Sequence, residues 1–103
     1  MKKRTADIFV IVDKVSGLCV SGLIPCLNEG VAMNGFRNYL EEEEKKGLNK
    51  AMYELYRVGI FNDDGSIDKL PVSRELICNG ENCQESFEEW CEVALARERA
   101  EED

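Results

Sequence analysis

The sequence predicts an α+β domain: a small, mostly antiparallel sheet of three or four strands with two helices packed against it, in the order ββαβ(β)α. Three observations carry that prediction. Ile8–Val12 is a β-branched apolar run closed on both sides by Asp7 and Asp13, the mark of a short buried strand. Tyr53–Phe61 is a second, longer apolar stretch, and it stops at Asn62-Asp63-Asp64-Gly65. Two further segments, one after Asn28 and one after Ser86, place apolar residues at helical spacing.

The elements follow in chain order. Residues 1–6 read as a loose, basic start containing Lys2, Lys3 and Arg4. Asp7–Asp13 is the first strand. Lys14–Gly17 is a hairpin loop, with Gly17 suited to the left-handed position of a short loop. Leu18–Ile24 returns as a second strand, and Gly22 and Pro25 at its far end mark it as an edge. Asn28 is a helix N-cap, and Glu29 places negative charge where a helix N-terminus favours it. The helix is expected over 29–44, burying Ala32, Phe36, Tyr39 and Leu40. Gly30 and Gly35 each cost such a helix about 1 kcal/mol relative to alanine, so it depends on packing. Glu41–Glu44 oppose the macrodipole, Lys45 and Lys46 partly compensate, and Gly47 supplies the stop.

In the central strand Tyr53, Leu55 and Phe61 share one parity, and Met52, Tyr56, Val58 and Ile60 the other. Both faces are therefore largely apolar, as in a strand covered on both sides. Gly59 marks a bulge or a close backbone approach. The Asn62–Gly65 run makes a turn. Read as a calcium loop it fails, because Ile60 and Pro71 fall where the first and last ligands belong. Ile67–Leu70 is a short partner strand broken by Pro71. Val72–Cys78 is a further strand, with Val72, Leu76 and Cys78 on one face, and Asn79-Gly80 is a tight-turn pair. Ser86-Phe-Glu-Glu89 has the form of a capping box. Phe87, Trp90, Cys91, Ala94 and Leu95 then form an apolar helical stripe ending near Ala100.

At 103 residues the chain is a single domain, 1–103: a start at 1–6, a core at 7–80 and an acidic helix at 81–103. The net charge of −8 is concentrated at one end: residues 81–103 hold nine acids and two bases, while 1–80 are nearly balanced. Glu85, Glu88, Glu89 and Glu92 are the candidate face for a basic partner. The same charge disfavours an anionic membrane surface. No apolar run reaches the length of a membrane span, and Ile8–Val12 is too short for a secretory leader. With five cysteines and no leader, a cytoplasmic location with reduced thiols is expected.

There is no histidine, which removes the usual general base and the Ser-His and Cys-His nucleophile systems. The chain is not expected to be an enzyme. Cys78, Cys83 and Cys91, with Cys19 or Cys26, offer a zinc set, but no CxxC pair is present. No metal and no cofactor is therefore assigned. For single-stranded nucleic acid the candidates are Lys2, Lys3, Arg4, Arg37 and Arg57 for phosphates, and Tyr53 and Tyr56 for stacking.

The order of Asp13, Gly17, Pro25, Asn28-Glu-Gly-Val-Ala32 with Phe36, and Tyr53-Glu-Leu-Tyr-Arg-Val-Gly59 with Phe61, Asp63 and Gly65 resembles the small nonstructural protein of gokushovirus-type phages of the Microviridae. The resemblance covers about residues 8–67. It departs at Asn34, where the family carries a basic residue; here Arg37 follows Phe36. The resemblance implies a nonstructural accessory in replication of a single-stranded DNA genome, binding that DNA or the replication initiator. The alternative is an acidic inhibitor or adaptor that docks on a basic host or phage protein without touching DNA.

Overall fold

The computed structural model describes residues 3–102, so Lys2 lies outside the described residues. The expected α+β architecture is present. The elements are β1 (Arg4–Asp13), β2 (Ile24–Cys26), α1 (Glu29–Lys45), a single 3-10 turn (Lys50–Met52), β3 (Tyr53–Asn62), β4 (Ile67–Lys69), β5 (Glu75–Asn79) and α2 (Cys83–Glu102). The start expected to be loose is already strand from Arg4 onward, because Arg4 and Ala6 pair with Asn62 and Phe61 of β3.

The sheet has five strands. Its path is β2-β1-β3-β4, and β5 pairs with β3 beside β4. All four pairings are antiparallel. β3 carries one long neighbour, β1, along its whole length. Its other edge is shared, with β5 on Glu54–Arg57 and β4 on Gly59–Phe61. This sharing is why both short C-terminal strands belong to one sheet.

One face of the sheet holds the main core. Phe9, Ile11, Tyr53, Leu55 and Cys78 meet Ala32, Met33, Phe36 and Leu40 of α1 and Cys83 of α2. Burying a side chain as large as Phe9 or Phe36 contributes about 1.5–3 kcal/mol. The other face holds a smaller cluster of Val10, Val12 and Tyr56, with Val58 packed against it.

Gly59 sits beside an irregularity in β3, as its position in the strand implies. Phe9 pairs with Arg57 and Ile8 with Gly59, so one extra residue, Val58, enters β3 between them. The bulge changes the expected parity. Tyr56, Gly59 and Phe61 oppose Val10, Ile8 and Ala6 on one face, while Arg57 and Ile60 oppose Phe9 and Asp7 on the other. A Cβ on Gly59 would lie 3.2 Å from Ile67 Cγ2 and 3.3 Å from the Asp68 carbonyl oxygen, so the backbone approach is close as well.

The second strand is three residues, not the expected Leu18–Ile24. After an isolated bridge between Val12 and Cys19, the Ser21 hydroxyl, rather than a backbone carbonyl, accepts from Ile11 N–H at 2.9 Å. That substitution interrupts the ladder, and pairing resumes only at Ile24–Cys26. Pro25 is tolerated because β2 is an edge.

α1 is capped as expected. Asn28 Oδ1 accepts from Val31 N–H at 2.9 Å, and Gly47 follows the end with φ +86°. α2 begins three residues before Ser86. The Asn82 carbonyl accepts from Ser86 N–H at 2.9 Å, so Asn82 opens the helix and Ser86 lies inside it. Asn79 Oδ1 accepts from the N–H groups of Glu81 and Asn82 and folds the chain from β5 into α2. Gly80 is required there by space. A Cβ would meet the Lys50 carbonyl oxygen at 1.7 Å. Gly30 has a similar role on α1, where a Cβ would lie 2.3 Å from the Trp90 ring. The glycine that weakens α1 locally is what lets α2 lie against it.

Candidate functional site

A network of ion pairs lies where β1, β3, β5 and the first turn of α1 meet. Asp7 is buried, with 2 % of its surface exposed. Arg57 Nη1 donates to Asp7 Oδ2 at 2.9 Å, and Arg4 pairs with the other carboxylate oxygen. Arg57 Nη2 also pairs with Glu29. Its Nε lies 3.1 Å from Glu75 Oε2, an ion pair outside hydrogen-bond geometry. Burial works against the Arg57 charge, but Glu29, Glu75 and Asp7 outweigh it and hold the guanidinium above its ordinary pKa. A buried carboxylate with two cations is stable only while both remain, so this group ties the sheet to the start of α1.

A second network joins α1 to β3. The Tyr53 hydroxyl donates to Glu43 Oε2 at 3.4 Å, and Lys46 Nζ lies 3.3 Å from Glu43 Oε1. Tyr39 meets Tyr53 edge to face, with ring centroids 5.4 Å apart. Burial, then the Glu43 charge, push the Tyr39 phenol up to about 12. Burial and Glu43 raise Tyr53 as well.

The nucleic-acid candidates are dispersed by these contacts. Arg4 and Arg57 come together on Asp7. Tyr53 is in the helix-covered core and Tyr56 on the opposite face of the sheet. Arg74 Cζ lies 4.1 Å over the Tyr56 ring, whose hydroxyl donates to Glu54 at 3.1 Å. Burial and Glu54 raise that phenol. Arg37 lies 4.6 Å over the Phe87 ring and donates to Asn34 Oδ1 at 3.3 Å. Lys3 is exposed at the foot of β1, where its backbone N–H donates to Asp63 Oδ1. The six do not form one cationic surface.

The acidic candidates are gathered. Glu85, Glu88, Glu89 and Glu92 are all exposed. At 3.6 residues per turn they occupy about 100° of α2, opposite the packing side of Cys83, Phe87, Trp90 and Ala94. From Leu95 to Ala100 every position is exposed. Glu85 also favours the helix N-terminus it sits near.

The carboxylates around Arg57 were not singled out by the sequence. Positions 7, 29, 57 and 75 belong to four different elements, and no local spacing relates them. Asp63 and Asp64 serve the turn after β3: Asp63 accepts from Lys3 N–H and Asp64 from Ser66 N–H. Among the described residues no group of three or more His, Cys, Asp or Glu side chains is placed to hold a metal ion. Among them, too, no helix is long and apolar enough to cross a membrane.

The chain matches no protein-family profile, no curated protein and no solved structure.

Proposed function

We propose that this chain is a nonstructural accessory protein in replication of a single-stranded DNA phage genome, and that it acts by docking on a basic protein rather than by gripping DNA. The observation that carries the docking part is the exposed stripe of Glu85, Glu88, Glu89 and Glu92 on α2. Four carboxylates on one rigid helix face present a field that steers a cationic partner and fixes its register. Of the bases that a phosphate backbone would need, Arg4, Arg37 and Arg57 are instead engaged by carboxylates or an aromatic ring within the fold. The phage setting rests on the resemblance of residues 8–67. The replication initiator is the partner that setting nominates, and a basic host protein is the other candidate. The reading assigns the chain no catalytic step and no cofactor, consistent with a sequence without histidine.

The test is a pair of binding measurements on the full chain. One uses a labelled single-stranded oligonucleotide at 50 and at 200 mM salt, conditions across which phosphate contacts weaken strongly. The other uses the phage replication initiator, comparing the wild type with a variant carrying E85K, E88K, E89K and E92K. Docking predicts that the initiator binds the wild type, that charge reversal weakens it at least tenfold, and that the oligonucleotide is not bound at micromolar concentrations. Micromolar, salt-sensitive oligonucleotide binding that survives charge reversal would replace this reading with direct DNA contact.

A further inference from the structure

The proposed docking leaves one surface unused, at the edge of the sheet away from β5. Residues 15–28 are the longest stretch without a charged side chain, in a chain that is 33 % charged and carries a net charge of −8. The stretch runs along the edge of β1 that β3 does not occupy. Cys19 pairs with Val12, Val20 N–H donates to the Ile11 carbonyl at 2.9 Å, and Ile24, Pro25 and Cys26 pair with Phe9, Ile8 and Asp7. Its large apolar side chains stand in solvent all the same: Val15, Leu18, Leu23 and Leu27 are each at least 65 % exposed. β5, which leads into α2, pairs on the other side of β3.

A cleft of about 270 Å³ lies between this strip and α1. Its lining includes Ser21, Ile24 and Cys26 from the strip and Val31, Gly35 and Tyr39 from the helix. An apolar space of about 150 Å³ already accepts a benzene ring, so this cleft has room for a leucine side chain. Val31 is exposed, and a Cβ on Gly35 would meet nothing within 4 Å. The gap at Gly30 admits Trp90, whereas no described residue fills the gap at Gly35. Polar side chains of the strip are already engaged within it. The Ser21 hydroxyl donates to the Gly22 carbonyl at 2.9 Å, and Cys19 Sγ donates to the Ser21 carbonyl at 2.8 Å. The strip therefore offers a partner apolar surface and no charge.

We propose that this strip is a homodimer interface, in which two copies meet across a two-fold axis and Leu23 and Leu27 of each copy enter the cleft of the other. Three properties of the patch select a second copy over a different protein. First, it carries both halves of an isologous contact, in which one surface must complement itself: a cleft, and exposed leucines that adjoin its lining residues Ile24 and Cys26. Second, two copies that each carry a charge of −8 repel one another, so close approach requires a surface free of charge. Residues 15–28 supply it, whereas a basic protein finds no counter-charge there. Third, the exposed parts of Val15, Leu18, Val20, Leu23, Leu27 and Val31 amount to on the order of 600 Å², the lower end of what each partner buries in a stable interface. Pro25 blunts the edge against strand addition, which leaves side-chain packing as the mode of contact. The dimer does not depend on the docking proposed above, and it leaves the acidic stripe of each copy uncovered.

The experiment follows the mass of the reduced full chain by sedimentation velocity from about 1 to 100 μM, at about 0.1 and 0.5 M salt, between which charge screening changes strongly. The expected result is a monomer–dimer equilibrium that salt does not weaken, because screening relieves the repulsion between acidic copies. Combining Leu23→Glu with Leu27→Glu should raise the dimer dissociation constant at least tenfold and leave the circular dichroism spectrum unchanged, since both side chains are exposed. Leu27→Ser alone serves as the second variant if the double change disturbs the fold. The variant carrying E85K, E88K, E89K and E92K should dimerise at least as tightly as the wild type, which separates this interface from the docking stripe. A wild type that stays monomeric over the whole range would overturn the proposal and assign the strip to a different partner. A dimer that survives the leucine substitutions, that dissolves with salt, or that is lost on reversing the α2 charges would overturn it as well.

Discussion

The two helices are attached to the same face of the sheet in different ways. α1 buries residues along nearly its whole length: Gly30, Ala32, Met33, Phe36, Leu40 and Glu43. Its first turn is tied to the sheet through Glu29 and Arg57, and its last through Glu43 and Tyr53. α2 is longer but packs only through its first three turns, with Cys83 fully buried and Phe87, Trp90, Cys91 and Ala94 partly so. From Leu95 to Ala100 every position is exposed. A helix fixed at both ends is part of the scaffold, whereas one fixed only at its start presents charge outward from a firm base. The acidic segment is therefore positioned by the fold without being consumed by it.

The largest expected effect breaks the base of α2. Gly80→Ala drives a methyl into the Lys50 carbonyl, which neither backbone can yield, and should cost about 3 kcal/mol in urea unfolding. A loss below about 0.5 kcal/mol would mean that the turn is not held as tightly as described. Gly30→Ala probes the contact between the helices. Alanine favours α1 by about 1 kcal/mol, but its Cβ must displace the Trp90 ring, so a net loss of about 1–2 kcal/mol is expected. In a Trp90→Ala background the same change should turn stabilising, a sign reversal that a double-mutant cycle reads directly.

Alkaline titration separates the helices by another route. Tyr39 and Tyr53 hold their protons more tightly when folded than in the unfolded chain, where a phenol titrates near 10. The unfolded state therefore ionises first as pH rises. The stability from these groups is complete below about pH 10 and is lost as pH climbs above it, toward about 12 for Tyr39. Thermal melts from pH 8 to 11.5 should show this decline, and Tyr53→Phe should make it shallower. An unchanged slope in that variant would remove the Tyr53–Glu43 contact from the account of how α1 is held. The smallest effect is at Gly35, where a Cβ meets nothing within 4 Å. Gly35→Ala should stabilise α1 by about 0.5–1 kcal/mol.

The parts of this fold that were legible in the sequence are those with local causes. Asn28 caps α1 through its own Val31, and the run from Tyr53 is a strand because its side chains favour one. What escaped reading depends on partners distant in sequence. Ser21 displaces a ladder bond because Ile11 lies opposite it. Asn82 opens α2 because Asn79 folds the turn, while the Ser86 pattern that advertised a cap was only a pattern. Arg57 reads as a free cation until Asp7, Glu29 and Glu75 arrive from three other elements. The acidic stripe was visible because helical spacing alone defines it.

The extra residue in β3 has a consequence for how this chain tolerates change. Val58 acts as a half-period phase shift between two stretches of strand. Before it, odd-numbered side chains point toward the helices; after it, even-numbered ones do. Remove that one residue and the strand becomes regular with both ends keeping their orientation, because Arg57 opposite Phe9 is then followed directly by Gly59 opposite Ile8 and Ile60 opposite Asp7. A one-residue deletion at Val58 is therefore absorbed by the bulge, whereas a strand that kept Val58 but lost the bulge would have to exchange the inner and outer surfaces of one half.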